Sequence, residues 1–333
     1  MGNNNQKQES TSKNRFIKLT NDTITAAVRL WCEDPTQGTV QYGRIEEWDT
    51  SRVTDMTDLF LDQTDFNDNI IRWNVSKVTS MNHTFGGATS FNQDLSGWNV
   101  SSVTHMTGMF DGAIAFNQDL SGWDVSSVTH MSGMFNGATS FNQGLSGWDV
   151  SKVLTTGCMF KGATSFNQDL SGWNVSVAHM TGMFDGAIAF NQDLSGWNVS
   201  SVTHMGGMFY GATLFNQDLS GWDVSNVLTI GRMFHGATAL TATLQRTLNV
   251  SSFFQGVYRD MPREERRQAF ACAFPWPRRR AFMLFLVNHG YLYSASAPSN
   301  YKGLGATKPS SEVAPCDAIF DVEDIYRYIC QFL

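Results

Sequence analysis

Tryptophan recurs at Trp48, Trp73, Trp98, Trp123, Trp148 and Trp173, each 25 residues from the last, then at Trp197 after a step of 24 and at Trp222 after 25. A fixed interval of this length means stacked copies of one supersecondary unit, each too small to bury its apolar face alone. Any further reading of the chain has to fit inside that constraint.

One unit runs from Trp98 to Gly122, and Trp123 begins the next. Leu120-Ser121-Gly122-Trp123-Asp124-Val125 has leucine-rich-repeat strand spacing, with Trp123 and Val125 on the inner side and Asp124 on the outer. Val128, Met131, Met134, Phe135 and Ala138 then follow at steps of three, three, one and three, which predicts one face of a short helix ended by Gly137. Phe141-Asn142-Gln143-Gly144 reads as a polar return. The expected fold is therefore an α/β solenoid: a leucine-rich-repeat-like parallel sheet with short helices, about eight units and about 40 Å long at a strand spacing of about 4.8 Å. The residue missing from the Trp173 unit falls in Ser176-Val177-Ala178, at the turn, where a deletion least disturbs strand register.

Residues Phe141 to Trp148, followed by Asp149-Val150-Ser151-Lys152-Val153, resemble the BspA-like surface-protein repeats, relatives of the leucine-rich repeats, and the resemblance covers about residues 48 to 240. It implies a solenoid fold and surface or adhesive roles, without a defined ligand.

A repeat array needs capped ends, because its outermost coils would otherwise expose apolar faces. The expected organisation is a disordered tail over residues 1–20, an N-terminal cap over 21–47, the array over 48–246, and a helical C-terminal cap region over 247–333. Ile24, Ala27, Val28 and Trp31 predict a cap helix over Thr23 to Trp31, joined by Gly38 to Ile45 as an edge. Beyond the array, Asp260-Met261-Pro262 reads as a helix start, Pro275-Trp276-Pro277 as a break, and Asp321 to Phe332 as a final helix.

Several function classes drop out on composition. A net charge of -7 offers no basic footprint for nucleic acid. Five scattered cysteines, Cys32, Cys158, Cys272, Cys316 and Cys330, have neither CxxC spacing nor an even count, so no zinc site or disulfide framework is indicated. The apolar stretch Ala281 to Val287 is far shorter than the roughly 20 residues that cross a bilayer. Met1 to Gln8 lacks the apolar core of a signal peptide, which favours the cytoplasm, with the cell surface or secretion as the alternative. No HExxH, GxSxG or Walker pattern occurs. The chain is read as a non-enzyme that uses no cofactor and acts as a monomer.

Repetition also lines up polar residues. His105, His130, His179 and His204 share a register with Asp55, Ser80, Thr155 and Thr229. With only two neighbouring histidines at a time and no third ligand, a copied surface position is favoured over a metal site. Asp94, Asp119, Asp169, Asp193 and Asp218, interrupted by Gly144, suit carboxylates that accept N–H bonds within their own turns better than a calcium column. Asn67, Asn92, Asn117, Asn142, Asn167, Asn191 and Asn216 suit an internal amide ladder. The Arg-rich run that includes Arg278, Arg279 and Arg280 reads as a solvated helix face.

The preferred binding face is the outward position beside each tryptophan: Asp49, Asn74, Asn99, Asp124, Asp149, Asn174, Asn198 and Asp223. Short polar side chains flanked by Ser and Gly predict a flat, mildly acidic surface for a protein or surface ligand. Asn74-Val75-Ser76, Asn99-Val100-Ser101 and Asn198-Val199-Ser200 on that face are also glycosylation sequons. The functional expectation is a binding scaffold for protein partners, and the alternative is a secreted or surface adhesin, with or without calcium.

Overall fold

A computed structural model describes residues 18–175, 177–219 and 221–240. The expected C-terminal cap region and most of the tail lie outside these residues. Lys18 to Thr20, assigned from sequence to the tail, are structured: Lys18 forms a parallel bridge with Asp49, and Leu19 is buried.

Two helices precede the array. Helix α1 spans Asn21–Glu33 and buries Ile24, Ala27 and Val28. Helix α2 spans Pro35–Tyr42 and replaces the edge expected over Gly38 to Ile45. The reason is local: Asp34 Oδ1 accepts hydrogen bonds from the N–H groups of Thr36 and Gln37, and Pro35 at the first helical position has its φ already set for a helix. Gly38 permits the turn onto α1, since a Cβ there would lie 3.1 Å from Trp31 Cα. Trp31 in turn packs edge-on against Trp48 with centroids 5.9 Å apart, which joins the helices to the first repeat.

Across the repeats, seven parallel bridges link equivalent residues in one continuous series: Asp55, Ser80, His105, His130, Thr155, His179, His204 and Thr229. Each 25-residue segment thus lies beside the next in constant register. Among the described residues the expected parallel sheet is reduced to these isolated bridges, and no α-helix occurs between Trp48 and Leu240.

The hydrogen bonds explain both departures. The N–H groups of Met106, Gly108, Phe110 and Gly112 donate forward to the carbonyls of His130, Ser132, Met134 and Asn136 at 2.6–2.9 Å. Those of Met109, Asp111 and Ala113 donate instead to carbonyls three residues back in their own coil. Alternate residues therefore serve the neighbouring coil and a local turn, a pattern that is neither strand ladder nor helix. The apolar spacing of three that reads as a helix face records these successive turns. Gly133 and Gly137, with φ of 63° and 67°, lie in the left-handed region and interrupt any right-handed helix.

The core is a set of columns running along the array. Each tryptophan from Trp48 to Trp222 is 3–4% exposed, so the ring faces inward. From Trp73 onward each indole N–H donates to a main-chain carbonyl of the preceding coil, as Trp148 Nε1 does to Leu120 O at 3.0 Å. Two phenylalanine columns stand beside it. Phe85, Phe110 and Phe135 stack at 5.5–5.6 Å, and Phe91, Phe116 and Phe141 at 6.0 Å. Within a coil the two rings approach to 3.9 Å, as Phe110 does Phe116. The segment read as a polar return is polar only from Asn142 on, because Phe141 is fully buried.

Candidate binding face

Eight polar side chains occupy the register position after each tryptophan. Asn74, Asn99, Asp124, Asp149, Asn174, Asn198 and Asp223 are exposed, and Asp49 is half-buried under Lys18, whose Nζ lies 3.9 Å away. They do not project from a strand. Asp49, Asn74, Asn99, Asp124, Asp149, Asn198 and Asp223 each accept, through Oδ1, the N–H of the serine two residues on, at 3.0–3.2 Å. This closes a side-chain turn that competes with ladder pairing, so the flat sheet expected from sequence is instead a row of identical turns. At Asn174 the corresponding Ser176 lies outside the described residues.

The turn fixes what each position presents. With Oδ1 committed, Asp offers Oδ2 as an acceptor and Asn offers Nδ2 as a donor. Asn74, Asn99 and Asn198 thus present donors and Asp124, Asp149 and Asp223 present acceptors, while Asp49 Oδ2 is paired with Lys18. Hydrogen bonds from the side chains and backbone N–H groups of Ser51, Ser126, Ser151 and Ser225 hold the carboxyls of Asp49, Asp124, Asp149 and Asp223 below the usual carboxylate range. These positions are thus anionic across the neutral range.

A second row borders the first. Asp94, Asp119, Asp169 and Asp193 are exposed, and each Oδ1 accepts the N–H of the serine two residues on at 2.8 Å. The turn-capping role anticipated for this column is the one these four have; at Asp218 the corresponding Ser220 lies outside the described residues. Beneath it runs the asparagine ladder: Asn92 Oδ1 accepts from Asn117 N and from Gln118 Nε2, both at 2.9 Å, and the pattern repeats along the array. The ladder locks coil to coil, and the two exposed rows stand on that support.

The histidine register is the bridge series itself. His105, His130 and His204 are half-buried and His179 is exposed. Two residues that sequence reading passed over also shape the array. Asn21 Oδ1 accepts the N–H groups of Thr54 and Asp55 at 2.8 and 3.3 Å, standing in for the coil that would precede the first. Thr156, fully buried, holds a position that is Met in Met56, Met81, Met106, Met131, Met180 and Met205, and its Oγ1 has no partner among the described residues. The second was visible as a break in the methionine period; the first had no signal, since it lies before the repeats begin.

Among the described residues no helix is long and apolar enough to cross a membrane. The chain matches a family model described as Mycoplasma protein of unknown function, DUF285, three times, over residues 35–123, 97–179 and 175–259. The matches together cover residues 35 to 259, more than half of the 333-residue chain, and each is longer than three of its 25-residue units. A search of curated proteins finds no match.

Proposed function

We propose that this repeat protein, which belongs to the family described as Mycoplasma protein of unknown function, DUF285, is a non-catalytic binding scaffold built as a solenoid of BspA-like 25-residue units. It acts as a monomer and engages a protein or surface ligand through Asp49, Asn74, Asn99, Asp124, Asp149, Asn174, Asn198 and Asp223. The observation that carries this reading is the pre-set turn: identical backbone loops hold acceptor and donor groups in constant register along the array. Groups already ordered lose little conformational entropy on binding, which favours a repetitive partner surface.

The test is affinity capture with the wild-type chain and with the triple variant Asp124→Lys, Asp149→Lys, Asp223→Lys. A partner held by the first and lost by the second, with both melting at similar temperatures, supports the reading. Equal retention by both removes the face from consideration.

One observation favours a surface adhesin. Asn74, Asn99 and Asn198 are exposed sequon asparagines, and the hydroxyls of Ser76, Ser101 and Ser200 each donate to the asparagine Oδ1 at 2.7 Å, leaving Nδ2 outward. Localisation of the untruncated protein with a glycosidase shift separates the two: surface protein with a shift selects the adhesin, and cytosolic protein without one selects the intracellular scaffold.

A further inference from the structure

The bridge series contains two pairs of stacked imidazoles. His105 and His130 lie with centroids 4.8 Å apart and planes 7° from parallel, and His179 and His204 lie 4.3 Å apart at 22°. Hydrogen bonding sets the ring orientation. Thr104 Oγ1 is 3.1 Å from Thr79 O, which can only accept, and 2.8 Å from His105 Nδ1. A hydroxyl has a single proton. With that proton given to the carbonyl, Oγ1 accepts from Nδ1–H, and the lone pair of the neutral ring is left on Nε2. The same pairing recurs where Thr129 Oγ1 meets Thr104 O and His130 Nδ1, and where Thr203 Oγ1 meets Ala178 O and His204 Nδ1.

A metal-binding histidine is typically prepared in this way, with one nitrogen donating to a fixed oxygen and the other free to ligate. We propose that each stacked pair is a binding site for a divalent transition-metal ion of the zinc, nickel or copper class, held by two Nε2 atoms with water in the remaining positions.

Imidazole suits these ions, whereas magnesium and calcium select oxygen donors. At a metal–nitrogen distance of about 2.0–2.1 Å, a tetrahedral ion keeps two donors about 3.3 Å apart. Nearly parallel rings direct their Nε2 lone pairs side by side, so binding requires the two imidazoles to rotate out of the stack until those lone pairs converge on one ion. The pairs differ in one respect. Ala178 precedes His179 and offers no hydroxyl, so His105/His130, held on both sides, is the tighter site. His83 and His235 are internal controls, since neither belongs to a histidine pair; His235 stacks on Tyr210 instead.

The experiment titrates zinc by calorimetry, and nickel by its broadening of histidine ring resonances, into the untagged full-length chain after chelator treatment. Two ions per chain are expected, with His105 and His130 broadened at a nickel concentration at least tenfold below that for His83 and His235. His130→Thr removes one ion, and His130→Thr with His204→Thr removes both. Threonine already holds this register at Thr155 and Thr229, so the substitution conserves the bridge. Unchanged stoichiometry in the double variant overturns the proposal. So does broadening of His83 and His235 together with the pairs, a result that the wild-type chain delivers without any variant.

Discussion

Thr156 is the side chain most at odds with its surroundings. Its hydroxyl is buried without a partner among the described residues, in a column where the other coils through Met205 place methionine. A buried unpaired hydroxyl costs about 1–3 kcal/mol, and a shorter side chain between Met131 and Met180 forgoes apolar contact as well. Thr156→Met should raise stability by about 1–2 kcal/mol in urea denaturation. The next coil is the one that runs 24 residues rather than 25. A loss of stability would mean that this shortened coil has closed over the smaller residue. Trp148→Ala tests the opposite case, a well-filled site. It empties a stacked ring lying 6.5 Å from Trp173 and abandons the bond to Leu120 O, and should cost about 3–5 kcal/mol. A change below about 1 kcal/mol would refute the inward role of the tryptophans.

At the scale of the element, the inward and outward sides of each unit were legible because period and polarity alone decide them. Trp123, Val125, Val128, Met131, Met134, Phe135 and Ala138 are all buried, and Asp124 is exposed. Backbone type was not legible, since turns closed between residues three apart and a helix both place apolar groups at intervals of three. The missed cue was the first of two glycines, Gly133, at the register also held by Gly108, Gly182 and Gly207. Its backbone supplies a test whose sign separates the two structures. In a helix, Gly133→Ala would stabilise by about 1 kcal/mol through propensity. At a φ of 63°, with only Asn136 Cβ within 4 Å of an added Cβ, it should destabilise by about 1–2 kcal/mol from left-handed strain. The midpoint of urea denaturation reads the sign directly. The array's first edge depends on Asn21 in a comparable way. Asn21→Ala leaves the N–H groups of the exposed residues Thr54 and Asp55 to water and should cost about 0.5–1 kcal/mol, with faster amide exchange at those two residues before the rest of the array is affected.

Over the whole molecule, repetition multiplies weak local terms, and stability against acid shows this most clearly. The carboxyls of Asp49, Asp124, Asp149 and Asp223 are lowered by hydrogen bonds from serine side chains and then N–H groups, and those of Asp119 and Asp169 by the same groups in the reverse order of strength. A carboxyl lowered in the folded chain contributes stability that is fully present above its unfolded value of about 3.9, and that is lost as pH falls through the lower folded value. Asp111 acts with the opposite sign, because desolvation raises it, and offsets part of the sum. Each exposed group contributes little on its own, yet six lowered carboxyls repeated along one array fail together. The denaturation midpoint should therefore be level from about pH 7 to 5 and fall steeply below about 4. Asparagine makes the same turn at Asn74, Asn99 and Asn198 without titrating. The triple variant Asp124→Asn, Asp149→Asn, Asp223→Asn should start from a slightly lower neutral midpoint and flatten the acid limb. If its acid limb matches that of the wild type, the turn carboxylates do not govern the transition, and the acid sensitivity has to lie elsewhere in the chain.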